Sequence, residues 1–171
     1  MAATDLERIF SALEASGTRY LVVGGVAVVL HGHLRFTAAL DLVISLDRAN
    51  LSRGLRALEG LGYRPRAPVA LEEFLDPEVR RAWIEEKGMT VLALWSPDLP
   101  ATEVDVFASE PFAFETAYAR ALRADLGTTT VPVASLPDLI ELKRRVGRAQ
   151  DLEDVRALEA IAREIQGDGD E

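Results

Sequence analysis

Residues 22–46 read VVGGVAVVLHGHLRFTAALDLVISL, and this stretch decides the fold. An apolar run ending at Val23 has the look of a buried strand, and it stops on a glycine pair, Gly24 and Gly25. VAVVLHGH (26–33) then predicts a short buried helix, although its β-branched residues weaken helix propensity. The chain returns as a second strand, ALDLVISL (39–46), in which Leu40, Leu42 and Ile44 alternate with Asp41, Val43 and Ser45. Strand, glycine turn, helix and strand therefore follow one another within a single short block.

Outward from that block the same rules give the remaining elements. LERIFSALEASG (6–17) predicts a helix opened by Thr4 and Asp5 and closed by Gly17. A helix is expected from Arg48 to about Leu61, stopped by Gly62. Residues 72–86 are helical in pattern but broken by Pro77. MTVLALWS (89–96) and TEVDVFA (102–108) are strands; in the second, Val104 and Val106 face one way and Glu103, Asp105 and Phe107 the other. FAFETAYARALR (112–123) predicts a helix, DLGTTTVPVAS (125–135) short strand structure around Gly127, and Ser135 with Asp138 a capped helix with Pro137 in its first turn. The last helix is DVRALEAIAREIQ (154–166). The expected fold is α/β: a small mixed sheet flanked by helices, forming a single domain over residues 1–165, with 166–171 as a disordered acidic tail.

Composition excludes several classes. The chain has 171 residues, a net charge of −9 and no cysteine, so it has neither a disulfide framework nor a thiolate metal site. Its acidity makes it a poor general binder of nucleic acid, whose affinity depends on basic contacts, unless a local basic patch acts against the global charge. There is no apolar run of ~18 residues and so no membrane partner is expected. MAATDLERIF carries no basic region followed by an apolar stretch; no secretory signal is expected, and the sequence fits a cytoplasmic protein.

The chemistry concentrates in Gly24, Gly25, Asp41 and Asp105. Glycines without β-carbons let a phosphate approach backbone N–H groups. Asp41 and Asp105 share an outward register on alternating strands, and two such carboxylates beside a glycine turn can hold Mg²⁺ against a triphosphate. The bland alternative is a common glycine turn and two solvated strand acids.

With these residues in view, the block resembles the signature of the nucleotidyltransferase superfamily, in which an apolar residue, Gly and Gly/Ser precede a strand bearing Asp-apolar-Asp/Glu. Val23, Gly24 and Gly25 match the first part, and Asp105 in EVDVF matches the third carboxylate on a later strand. GGVAVVLHGHLRFT and the ending SLPDLIELKRRVGRAQDLEDVRALEAI are most similar to the minimal, AbiEii-like prokaryotic members, some of which are toxins or antitoxins. The resemblance implies Mg²⁺-dependent transfer of an NMP from an NTP to a hydroxyl of an RNA, a protein or a small molecule, with a toxin–antitoxin partner. It assigns metal binding to Asp41 and Asp105, the general base to Asp105, and the triphosphate to Gly24 and Gly25. It also suggests phosphate contacts for Arg35, Thr37 and Lys143.

One departure bears on activity. Thr37-Ala38-Ala39-Leu40-Asp41 stands where the family has Thr-x-Asp-x-Asp, so Ala39 occupies the place of the first metal-binding carboxylate. Its loss implies weaker metal binding and slower transfer. Ala39 is either a substitution that disables the site or a native feature of a chain that binds without catalysing, as a nucleotide-binding or protein-interaction module would.

Other residues have plainer expectations. His31 and His33 are the only histidines, which rules out a histidine-rich metal site; His31 is expected to be a structural hydrogen-bonding residue. Arg64, Arg66, Arg80 and Arg81 are expected on a solvated surface, and Trp83 and Trp95 in the core. Asp151 is expected to cap the last helix.

Overall fold

The computed structural model describes residues 3–169. Helix α1 (Ala3–Ala15) leads into strand β1 (Tyr20–Val23), helix α2 (Gly24–Leu30) and strand β2 (Ala39–Ile44). Helix α3 (Arg48–Gly60) and a two-residue strand β3 (Arg64–Pro65) follow. A 3₁₀ turn over Leu71–Leu75 then precedes α4 (Pro77–Lys87). Strands β4 (Val91–Trp95) and β5 (Glu103–Phe107), helix α5 (Phe114–Ala119), and strands β6 (Leu122–Asp125) and β7 (Thr130–Val133) come next. Helices α6 (Leu136–Val146) and α7 (Ala149–Gly169) end the described chain.

All seven strands form one mixed sheet in the order β3-β4-β5-β2-β1-β7-β6. The β1–β7 and β2–β5 pairs are parallel and the others antiparallel. The α/β mixed sheet expected from the alternating patterns is thus the architecture observed. Its central strands are the most apolar: every residue of β1 is buried, as are Leu40, Leu42, Val104 and Val106. Each fully buried side chain of this size contributes roughly 1.5–3 kcal/mol. The two outer strands differ in kind. β3 is two residues long and ends in a proline, whereas the exposed β6 carries Arg123 and Asp125.

The helix ends follow the expected chemistry. Asp76 caps α4 by accepting from the Glu78 N–H at 2.9 Å, with Pro77 at the first position, so the proline starts a helix rather than interrupting one. Ser135 caps α6, accepting from the Asp138 N–H at 3.3 Å. No helix among the described residues is long and apolar enough to cross a membrane.

Three expectations need correction. Residues 112–123 do not form one helix: α5 stops at Ala119, and Leu122 and Arg123 join β6, pairing antiparallel with β7. The hairpin around Gly127 supplies backbone partners there, and cross-strand pairing overrides the helix propensity of Ala, Arg and Leu. The last helix begins at Ala149 rather than Asp154, and Asp151 sits in its first turn. Asp151 accepts from the Arg148 N–H at 3.2 Å, reaching back to the helix start instead of preceding it. Finally α7 continues to Gly169, so residues 166–169 of the expected tail are helical, and residues 170–171 lie outside those described.

Candidate active site

The site is built from the middle of the sheet. β1 and β2 are antiparallel with Val23 opposite Asp41, and β2 and β5 are parallel with Asp41 opposite Asp105. Because side chains alternate along each strand, Leu40, Leu42, Val104 and Val106 enter the core while Asp41 and Asp105 emerge together on the other face. They line a cleft of ≈ 460 Å³ with Gly24 from the turn, Lys143 from α6, and Arg148 and Asp151 at the start of α7.

The glycine pair is required by close approach. Gly24 has φ +68°, and a β-carbon there would stand 2.7 Å from Asp41 Cγ and closer still to its Oδ2. At Gly25 a β-carbon would lie 2.7 Å from Thr37 Oγ1 and 2.9 Å from Arg35 Nη2. The turn is therefore pressed against three of the residues singled out in the sequence: Asp41, Thr37 and Arg35. Thr37 Oγ1 donates to the Ala39 carbonyl at 3.2 Å.

Opposite the sheet lies a buried ionic network. Lys143 is 5% exposed, with Nζ 2.9 Å from Asp154 Oδ2 and 3.5 Å from Asp151 Oδ1. Arg35 Nη2 donates to Asp154 Oδ2 at 3.0 Å, and its Nε lies 2.9 Å from Oδ1 without the alignment of a hydrogen bond. Arg148 Nε donates to Asp151 Oδ2 at 2.8 Å. Thus Lys143 reaches the cleft and is also neutralised within the fold, while Arg35 is committed to Asp154.

The electrostatics of the two sides oppose each other. Burial, and then the neighbouring charge of Asp105, push Asp41 from 3.8 up to about 7, against the pull of Lys143. Asp105 is also raised, by burial first and then by Glu103. Burial pushes Asp154 and Asp151 upward too, but the adjacent cations win. Lys143 and Arg35 hold Asp154 below the usual carboxylate range, and Arg148 with Lys143 holds Asp151 below it.

These residues fit one hard cation. Asp41 and Asp105 offer oxygen ligands in register, their mutual repulsion would be relieved by Mg²⁺, and only glycine at 24 leaves room for the Asp41 carboxylate. Ala39 adds no donor. Among the described residues no three His, Cys, Asp or Glu side chains already stand together as a metal site.

Several side chains differ from expectation. Trp83 is buried against Phe74, as expected, but Trp95 is 40% exposed with the Arg66 guanidinium over its ring. Trp95 ends its strand at the margin of the sheet beside two-residue β3, where there is no layer to cover it. Arg80 is buried rather than solvated and donates to the Phe74 carbonyl at 2.5 Å. His31 Nε2 lies 2.8 Å from the Ala134 carbonyl, tying α2 to the end of β7, and burial lowers its pKa. Glu103, which the sequence marked only as facing the same way as Asp105, lies directly beside Ala39 on the neighbouring strand.

No protein-family model and no curated protein sequence matches the chain. Solved structures do. The lincosamide antibiotic adenylyltransferase LnuA, lincomycin-bound, is 15% identical with a TM-score of 0.64 over 94% of this chain and 98% of that one. ANT(2'')-Ia in complex with adenylyl-2''-tobramycin is 15% identical with a TM-score of 0.59 over 91% of this chain and 86% of that one. The solution structure of the antibiotic-resistance factor ANT(2'')-Ia is 14% identical with a TM-score of 0.59 over 96% and 91% of the two chains. The mixed sheet that brings Asp41, Asp105 and Gly24 together is therefore the fold of solved nucleotidyltransferases.

Proposed function

We propose that this chain binds a nucleoside triphosphate with Mg²⁺ in the cleft and transfers its nucleotidyl group to a hydroxyl acceptor, at a rate lowered by Ala39. The observation that carries this reading is the in-register Asp41–Asp105 pair facing the Gly24 turn within a nucleotidyltransferase fold. Asp41 and Asp105 would hold Mg²⁺, which when bound offsets the charge of the triphosphate and of the departing pyrophosphate. Gly24 lines the cleft with Lys143 and Arg148, and the glycine pair brings the backbone of the turn close against Asp41, Thr37 and Arg35. The acceptor oxygen attacks the α-phosphorus, its proton passes to Asp105, and the bond to pyrophosphate breaks. The described residues act as one domain in this reading, in the cytoplasm.

Lincomycin is bound in LnuA and adenylyl-2''-tobramycin in ANT(2'')-Ia. For this chain the acceptor class stays as the AbiEii-like resemblance implies: a hydroxyl of RNA, of a protein or of a small molecule. A second reading has its own support. Ala39 with the exposed Leu34 and Phe36, at 83% and 81%, beside the site favours a catalytically silent nucleotide-binding or protein-interaction module, such as a toxin–antitoxin component.

Calorimetric titration of Mg²⁺ with each common NTP into this chain, Ala39→Asp and Asp105→Asn separates the two. Weak binding is expected for the chain as it stands, a clear gain for Ala39→Asp, and a loss for Asp105→Asn. Nucleotidyl transfer by Asp105→Asn should fall by about 100-fold or more. If neither the chain nor Ala39→Asp binds any nucleotide, the metal-site reading is wrong and the interaction module replaces it.

A further inference from the structure

Ala39 leaves β2 with one carboxylate fewer and so one metal ligand fewer. The sheet register changes that. β2 and β5 run parallel, with Ala39 beside Glu103 as Asp41 is beside Asp105. Glu103 precedes Asp105 by two residues on a regular strand, so both side chains leave the same face. Neighbouring strands are ~4.8 Å apart. Glutamate is longer than aspartate by one methylene, which suits it to reach from β5 into the space that a carboxylate on β2 would occupy.

Glu103 is not buried, and its present partner is Arg66, whose own side chain is half-exposed. A pair of this kind is weak and easily exchanged. Arg66 also has a second resting place, over the Trp95 ring at 5.9 Å, so losing Glu103 would not strand it. The Asp41 carboxylate lies in space that only glycine at residue 24 leaves to it.

We propose that Glu103 supplies the carboxylate missing at Ala39, exchanging its contact with Arg66 for the cation held by Asp41 and Asp105. This rests on the nucleotide-binding reading above and names a ligand within it. It also gives Arg66 a role: it holds Glu103 in the metal-free protein and competes with the cation for it.

Mn²⁺ binding tests the assignment without any need for turnover. The free-ion signal of Mn²⁺ is followed by electron paramagnetic resonance as the metal is titrated, with a non-hydrolysable ATP analogue present, into the chain and its variants. Glu103→Gln should weaken Mn²⁺ binding at least about tenfold, the scale on which even supporting groups act. Arg66→Met should tighten it. In an Ala39→Asp background, Glu103→Gln should matter little, because one carboxylate in that row suffices. Thermal melts confirm that each variant is folded.

If Glu103 merely pairs with Arg66, Glu103→Gln and Arg66→Met shift Mn²⁺ affinity alike or not at all, and the proposal is overturned. Unchanged affinity in Glu103→Gln overturns it equally. Binding by Ala39→Asp but not by the parent chain removes Glu103 as a ligand and leaves the nucleotide reading standing. Binding by neither removes both.

Discussion

The two walls of the cleft hold comparable numbers of acidic groups in opposite states. On the sheet wall, Asp41 and Asp105 face each other, and both are pushed toward the neutral form although Lys143 and Arg148 pull Asp41 the other way and Arg66 does so for Asp105. On the helix wall, the Asp154 and Asp151 side chains are almost inaccessible to solvent, yet Lys143, Arg35 and Arg148 keep them ionised. Burial alone therefore does not decide the state of a carboxylate here; the partner does. The helix wall is finished by the polypeptide itself. The sheet wall is left with unbalanced negative charge that an external cation can balance.

That contrast can be broken most severely at Asp154. Its side chain is fully buried and serves both Lys143 and Arg35. Asp154→Ala should cost about 3–5 kcal/mol in urea unfolding, since two cations lose their shared partner inside the fold. A loss below about 1 kcal/mol would mean that the network is open to water and the contrast false.

The sheet wall should respond to pH with the opposite sign from an ordinary ion pair. Asp41 titrates near 7 when folded and at its ordinary 3.8 when unfolded, so between these values the native state binds the extra proton. Stability of the metal-free protein is then greatest toward pH 4–5 and falls as pH rises through 7, by at most ~1.4 kcal/mol per pH unit. Asp41→Asn should flatten that slope and stabilise the protein at pH 8, measured as urea midpoints across the range. Asp154 and Asp151 do not interfere in this window: their lowered values make them lose stability only on acidification below the ordinary carboxylate range. A parent chain whose stability rises between pH 5 and 7 would refute the account of the sheet wall.

The smallest effect is expected at the margin of the helix wall. The Arg148 side chain is 77% exposed, and Asp151 keeps Lys143 when Arg148 is gone. Arg148→Met should cost under about 1 kcal/mol in the same unfolding experiment. A larger cost would move Arg148 from the rim into the network proper.

Much of the sheet wall was legible because its signals are local. The strand, glycine turn, helix and strand of residues 22–46 follow from periodicity and glycine punctuation, and alternation alone sets the facing of Asp41 and Asp105. The helix wall was legible only in part. Lys143 and Arg35 could be noticed, but Asp154 is far from Arg35 in the chain, and no local pattern says that the two meet. The same limit hid Glu103: that it lies beside Ala39 depends on the register of two strands that are not consecutive. Trp95 and Arg80 exchanged their expected places because whether a neighbouring layer covers a side chain is a property of the whole packing. β6 was missed because a hairpin partner outweighed helix propensity.

The outermost strands have a consequence of their own. β3 offers two residues, one of them a proline without an N–H, and β6 offers four with Arg123 and Asp125 among them. Neither provides the long, flat, uncharged margin on which a strand from another molecule nucleates. Crowded in a cell or concentrated in a tube, the sheet should resist growing into fibrils, and its shelf life should be set by loss of the fold rather than by stacking of intact molecules.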